Sequence, residues 1–378
     1  MVEKVTIENF KSIRKMNIEL SGVNVFIGAN GSGKSNILEG VLMGAGASAD
    51  RLSNEFLVAR GMRLAETKLM KNAFEVEGKF RKGIITTFRV DGKDTKLSIY
   101  KADSLFSSWE TALNDEQEYA GKILKFIGTI DDLDHPSGLE KARSFINEER
   151  KKITSVLTDV KQFIVYSPEN NALRKFEEEG ATQPLGIYGE GLFKLLTTMD
   201  NEQLSVLKQN LKMIDWFKDF KVLDDQSTGQ RRIQLTDRYI DEENMAFFDQ
   251  RNANEGFLFL LFYISLFVSQ YTPKFFAIDN IDNALNPRLC RDLMLRFNTL
   301  SQKYKKQVIV TTHNPAILDG INLRDDNQRL YVVFRDLEGA TKIKRVTEKM
   351  YDYNSKLSLS EAFTRGLIGG LNKSMGTW

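Results

Sequence analysis

The feature that most constrains this chain is an eight-residue loop, Gly28-Ala29-Asn30-Gly31-Ser32-Gly33-Lys34-Ser35. It lies between Val23-Asn24-Val25-Phe26-Ile27, which reads as an apolar strand, and residues 36–44, which read as a helix. The loop fits G-x-x-x-x-G-K-[ST] at every fixed position. Each position has a chemical reason. Glycines let the backbone curl so that successive N–H groups point inward as an anion nest. The helix beyond turns its positive dipole end toward the same anion. Lys34 brings a charge for β- and γ-phosphates, and Ser35 offers a hydroxyl to Mg²⁺. With ordinary residue frequencies, a random chain of this length carries the four fixed positions roughly once in a hundred. Gly28, Asn30, Gly31, Ser32, Gly33, Lys34, Ser35 and Asn36 are therefore the candidate phosphate contacts.

Composition narrows the setting. The chain has 378 residues, enough for one large domain or two modest ones. Lys plus Arg total 53 against 51 for Asp plus Glu, so a net charge of +2 gives no bulk attraction to DNA or an anionic membrane. The single cysteine, Cys290, rules out an internal disulfide and suits a reducing compartment. Met1-Val2-Glu3-Lys4-Val5 lacks the basic and apolar regions of a signal peptide. The longest largely apolar run, residues 257–268, falls short of the about twenty residues a membrane span needs and reads as a buried helix. The expectation is a cytoplasmic protein without a membrane segment.

Along the chain, Val5-Thr6-Ile7 and Met16-Asn17-Ile18-Glu19-Leu20 alternate as half-buried strands. Residues 73–100 read as antiparallel strands, with Val90-Asp91-Gly92-Lys93 as a hairpin turn. Residues 104–160 read as a charged helical insertion, broken near His135-Pro136-Ser137-Gly138, with His135 an inert loop residue. Phe163-Ile164-Val165-Tyr166 returns to strand, and another helical stretch begins near Gly189-Glu190-Gly191. A β-ribbon over residues 220–248 precedes alternating helices and strands at 275–278, 288–300 and 308–311. That alternation implies a parallel sheet with crossover helices.

Glu8-Asn9-Phe10-Lys11-Ser12-Ile13, followed by the loop and Asn36, resembles the opening of SMC, RecF and OLD-like ATPases of the ABC type, where NFKS precedes GxNGSGKSN. The resemblance implies ATP and Mg²⁺ as cofactors and an α/β ABC ATPase head. That head combines a mixed or parallel sheet, an antiparallel β subdomain and a helical insertion. Its expected divisions are 1–103 with the Walker A loop, 104–160 as insertion, and 161–378 with the remaining motifs. Walker B matches Phe275-Phe276-Ala277-Ile278-Asp279, so Ser35 and Asp279 would share the metal. The family's next residue is usually a glutamate that polarises water; here it is Asn280. An amide orients water but takes no proton, and a general base is worth roughly 10²–10⁴-fold in rate. Slow hydrolysis is one outcome; Asp282, or another group, acting as base is the other.

Val308-Ile309-Val310-Thr311-Thr312-His313-Asn314-Pro315 resembles the family's strand and THNP switch, with His313 as the γ-phosphate sensor. Lys34, Asp279, Asn280 and His313 are thus the implied catalytic set. Asn254-Glu255-Gly256 resembles a degenerate signature motif that contacts nucleotide on an opposing subunit, with Asn254 in the serine's place; an ordinary helix cap fits the same residues. Ala284-Leu285-Asn286-Pro287 matches the D-loop, and Tyr166-Ser167-Pro168-Glu169-Asn170 stands where a Q-loop is expected, without its glutamine. About sixty-five residues follow His313, too few for a TOPRIM nuclease, and residues 359–370 resemble the tail of OLD-like ATPases that lack one. The implied protein is a homodimer or higher homo-oligomer joined through composite ATP sites. It would control a separate nuclease or toxin effector, similar to the ATPases of Septu- or PARIS-type anti-phage systems. A RecF-type DNA-binding ATPase is the alternative. Lys303-Tyr304-Lys305-Lys306 and Arg231-Arg232 would then be phosphate contacts, or equally solvated faces.

Overall fold

The computed structural model describes residues 1–64, 67–71, 83–101, 109–113, 125–127, 129–130, 136–175, 184–225, 230–240, 249–351 and 357–369. The strands β3 (Val23–Ile27), β7 (Val165–Tyr166), β10 (Phe275–Ile278), β11 (Gln307–Thr312), β12 (Gln328–Arg335) and β13 (Thr341–Val346) form one sheet. Their order is β13-β12-β3-β11-β10-β7, parallel throughout except for the β12–β13 hairpin. The alternating side-chain direction of a strand then divides two cores. Val23, Val25, Ile27, Phe276, Ile278, Val308 and Val310 face the helices Glu255–Val268 and Pro287–Tyr304. Phe26, Phe275, Ala277, Ile309 and Tyr331 face the helix Lys34–Ser48. Asn24, the polar exception in β3, is fully buried and satisfied: its amide donates to Ser21 and Val308 carbonyls at 2.8 and 3.0 Å.

The Lys34–Ser48 helix is covered on its other side by a second, antiparallel sheet. Its strands are β1 (Val2–Phe10), β2 (Ile13–Glu19), β4 (Ile84–Val90), β5 (Lys93–Lys101) and β6 (Trp109–Leu113), ordered β2-β1-β4-β5-β6. Close approach requires Gly44, where a Cβ would stand 2.5 Å from the Thr86 methyl and 2.7 Å from the Phe88 ring. The turn between β4 and β5 has Asp91 at φ 50° and Gly92 at φ 72°, the pair of left-handed residues that a two-residue hairpin matches to strand twist. A separate ribbon pairs β8 (Phe217–Asp225) with β9 (Gln230–Asp237).

Helix Glu255–Val268 accounts for the long apolar run. Every residue from Gly256 to Val268 is buried, and each large apolar side chain so placed is worth about 1.5–3 kcal/mol. Among the described residues no helix is long and apolar enough to cross a membrane.

Two expectations need correction. The stretch 104–160 is helical only in part: Trp109–Leu113 pairs with β5, because Trp109 and its neighbours complete the antiparallel sheet. The expected break near Pro136 agrees with the start there of the helix Pro136–Thr154, since a first-turn proline sacrifices no helical hydrogen bond. Lys306 is no phosphate contact. It is buried, and its ammonium donates to the Leu266, Ser269 and Thr272 carbonyls at 2.7, 2.6 and 3.3 Å. His135 and residues 73–82 and 241–248 lie outside the described residues.

Candidate nucleotide site

The carboxyl ends of β3, β11 and β10 stand side by side, so the loops leaving them converge, as ligand-binding loops do in open α/β sheets. Loop 28–35 leaves β3 and enters the helix Lys34–Ser48. Gly33 is that helix's N-cap at φ 106°, and a Cβ there would stand 2.1 Å from Thr341 Oγ1. Both the backbone angle and the crowding exclude a side chain. Lys34 is buried, and its ammonium donates to the carbonyls of Gly28 (2.7 Å) and Ala29 (3.0 Å). Burial pulls its pKa below the ordinary lysine value, while the charges of Asp279 and Asp282 oppose that shift.

Ser35, 244 positions from Asp279 in sequence, donates its hydroxyl to Asp279 Oδ2 at 2.9 Å. Thr311, at the end of β11, donates to Asp279 Oδ1 and accepts the Asn280 N–H at 3.0 Å. One threonine therefore orients both the carboxylate and the backbone beyond it. Asn280 sits at φ 54°, a left-handed conformation that asparagine adopts more readily than most residues. A cleft of about 400 Å³ is lined by Asn30, Gly31, Gly33, Lys34, Ser35, Asn36, Arg63, Asn280 and Arg335. A second, of about 260 Å³, adjoins it through Ser35, Arg63 and Asn280 and is also lined by Asp279 and by Ser167 of the segment expected as Q-loop.

The link between the NFKS segment and the loop is a closed relay of hydrogen bonds. Asn36 donates to the Ser12 hydroxyl at 2.7 Å, Ser12 bonds Thr341 Oγ1 at 2.6 Å, and Thr341 donates to the Ser32 carbonyl at 3.1 Å. Since the Thr341 proton goes to Ser32, the Ser12 proton goes to Thr341. Thr341→Val keeps the shape and cuts the relay. It is expected to weaken nucleotide binding about fivefold to tenfold, equivalent to roughly one hydrogen bond. A binding titration of the two proteins checks this, and equal affinities would make the brace irrelevant to the loop.

The other expected site residues lie apart from this cleft. His313 is half-exposed, with Nε2 3.5 Å from Asp282 Oδ2, and Thr312 donates to Asp282 Oδ1 at 2.6 Å. Asn254 caps its helix, its side chain accepting the Gly256 N–H at 2.9 Å. Gly256 packs beside the expected D-loop, where a Cβ would stand 3.1 Å from the Ala284 carbonyl. Asn286 likewise caps the helix Pro287–Tyr304 through the Leu289 N–H at 2.9 Å. None of Asn254, Glu255, Gly256 and His313 lines either cleft beside loop 28–35.

Sequence reading missed four contributors. Arg63 holds buried Glu39 at 2.7 Å, Arg335 donates to the Gly31 carbonyl at 3.0 Å, and Thr311 and Thr341 act as above. Thr311 stood within a quoted motif; the other three carry no local signal.

The residues present fit Mg²⁺ with a nucleotide. Ser35 and Asp279 are paired hard-oxygen donors beside a lysine, and Ser32 Oγ is buried with no hydrogen-bond partner among the described residues. Among the described residues no group of three or more His, Cys, Asp or Glu is placed to hold a metal.

The family model described as "AAA domain, putative AbiEii toxin, Type IV TA system" matches residues 23–319, and another, "AAA ATPase domain", matches residues 1–43. The DNA double-strand break repair Rad50 ATPase of Saccharolobus solfataricus is 24% identical over 207 residues, 48% of this chain and 23% of that protein. The DNA replication and repair protein RecF of Listeria welshimeri is 42% identical over 55 residues, 14% of this chain and 15% of that protein. The matches thus span less than a quarter of these relatives. A crystal structure of an Smc head bound to the C-terminal winged-helix domain of ScpA shares the fold. Its TM-score is 0.57 at 17% identity, covering 93% of this chain and 99% of that one.

Proposed function

This chain belongs to the AAA-domain family whose model spans residues 23–319, among the SMC- and RecF-like ABC-type P-loop ATPases, and from that membership we propose that it is an ATP-closed, slowly hydrolysing switch. The observation that carries the reading is the 2.9 Å contact between Ser35 and Asp279, which unites the two motifs a Mg·ATP site needs. In this reading the loop N–H groups and Lys34 hold the phosphates, while Ser35 and Asp279 hold the metal. Mg²⁺ supplies charge neutralisation on the phosphate oxygens. Thr311 keeps Asp279 aimed at that position.

Asn280 lines the cleft with an amide where a carboxylate would take the proton of water. Asn280→Glu is expected to raise ATP turnover at least tenfold. The gain falls short of a full general-base effect, because glutamate is strained at φ 54°. Steady-state phosphate release measures it, and an unchanged rate would place the base elsewhere, with buried Asp282 the carboxylate to test next.

The separation of Asn254–Gly256 from the clefts supports a composite site, completed by a second copy about a two-fold axis. Light scattering should show the mass doubling with Mg·ATP and returning with ADP. A mass indifferent to nucleotide would sink the switch.

The switch would control a separate nuclease or toxin effector, a reading carried by the resemblance to defence-system ATPases; the family description names a putative toxin of a toxin–antitoxin system. The names of the Rad50 and RecF relatives favour a second reading, ATP-dependent DNA binding. Co-purification with a neighbouring gene product, and toxicity only in its presence, supports the first. Duplex binding that requires ATP and falls steeply with salt supports the second.

A further inference from the structure

The C-terminal end of the Lys34–Ser48 helix lies about 22 Å from its phosphate end, at 1.5 Å per residue. There, a cavity of about 490 Å³ opens between that helix and the helix Pro136–Thr154. Five cations line it, Arg51, Arg60, Arg150, Lys151 and Lys161, against one carboxylate, Asp50. Asp50 is already engaged, 2.7 Å from Arg150.

Two of the cations have structural duties. Arg150 donates to the Ala47 carbonyl at 3.3 Å, at the helix end. Arg60 donates to the Lys161 and Phe163 carbonyls at 3.3 and 3.1 Å and lies over the Phe56 ring at 4.5 Å. Those duties leave charge over. Arg150 Nε is buried with no hydrogen-bond partner, and Lys151 and Lys161 make no ion pair among the described residues. Arg51 crowds the same Phe56 ring as Arg60, at 5.9 Å. Burial and the neighbouring Arg150 lower the Lys161 pKa, as repulsion without a counter-charge must.

We propose that this cavity binds a compact phosphate-bearing anion of nucleotide size or smaller, at a site distinct from loop 28–35. Guanidinium and ammonium groups converging on a recess match clustered phosphate oxygens. A recess of this volume suits a free oligophosphate; a duplex would lie across an open surface instead. The site does not depend on the ATP reading, because its residues and those of loop 28–35 do not overlap.

The test uses inorganic pyrophosphate as probe, titrated calorimetrically into the whole chain and into Lys34→Ala, at constant ionic strength. Binding should persist in Lys34→Ala and weaken at least tenfold on adding Lys151→Gln with Lys161→Gln. Without probe, that pair of changes should raise the melting temperature, since it relieves repulsion. If the double change fails to fold, Arg51→Gln, at an exposed residue, reads the same loss of affinity. Binding that vanishes with Lys34→Ala, binding indifferent to the cavity substitutions, or binding of a 30-base-pair duplex without pyrophosphate would each overturn the proposal.

Discussion

Lys34→Ala is expected to abolish ATP binding at millimolar nucleotide while leaving the fold in place. The ammonium is the one cation whose side chain is buried inside the loop itself, donating to the Gly28 and Ala29 carbonyls. Against phosphate it would make charge-assisted bonds worth about 1.5–3 kcal/mol each, so losing two lowers affinity by roughly 10²–10⁴-fold. Stability should change little in comparison, because burial already disfavours the charged form. A fluorescent nucleotide titration with a thermal melt of the same sample separates the two effects. Retained binding would remove the loop from the site, and collapse of the fold would make Lys34 structural.

Lys306→Met is expected to have the largest effect on stability, and one that depends on pH. The ammonium serves the carbonyls of Leu266, Ser269 and Thr272 and the Thr272 hydroxyl, tying the end of the Glu255–Val268 helix to the start of β11. Methionine leaves these acceptors buried without a donor, a loss of about 2–4 kcal/mol. Burial, with the nearby charge of Lys274, pushes the folded-state pKa of Lys306 down to about 7 from the ordinary 10.5. Between those values the unfolded chain binds more protons than the folded one. Stability contributed by this residue therefore rises with pH across the window, with a slope approaching about 1.4 kcal/mol per unit. Denaturant melts of both proteins from pH 6.5 to 9.5 should show the gap widening as pH increases. Parallel curves would mean that Lys306 keeps its proton throughout.

Lys306 also shows where sequence reading fails. In a run of three basic residues it looked like a surface cation, yet it is the most deeply bonded lysine near the sheet. Its neighbour Lys305 takes φ 51° as the helix C-cap, which turns the chain and sends Lys306 inward. Strand β13 is hidden in the sequence for a related reason. Thr341-Lys342-Ile343-Lys344-Arg345-Val346 presents charges on an edge strand, so it carries no continuous apolar run to mark it. Strand β6 escaped notice because it sits within charged sequence and acquires its pairing from β5.

What the sequence determined by itself is local. Glycines at positions requiring left-handed backbone, the Asp91-Gly92 turn, and the apolar strands at 23–27 and 275–278 all declare themselves within a few residues. Their conformations follow from backbone sterics and from the period-two pattern of burial, which need no distant partner. The tertiary structure decided which of these pieces meet. Ser35 reaches Asp279, and Ser32 reaches Thr341 across 309 positions, only because both faces of the parallel sheet must be buried at once. That requirement sets the order β12-β3-β11-β10, and the order places the phosphate loop beside a carboxylate. Local backbone preference near either residue does not dictate that contact; only the resemblance of the two motifs to those of a known family anticipates it.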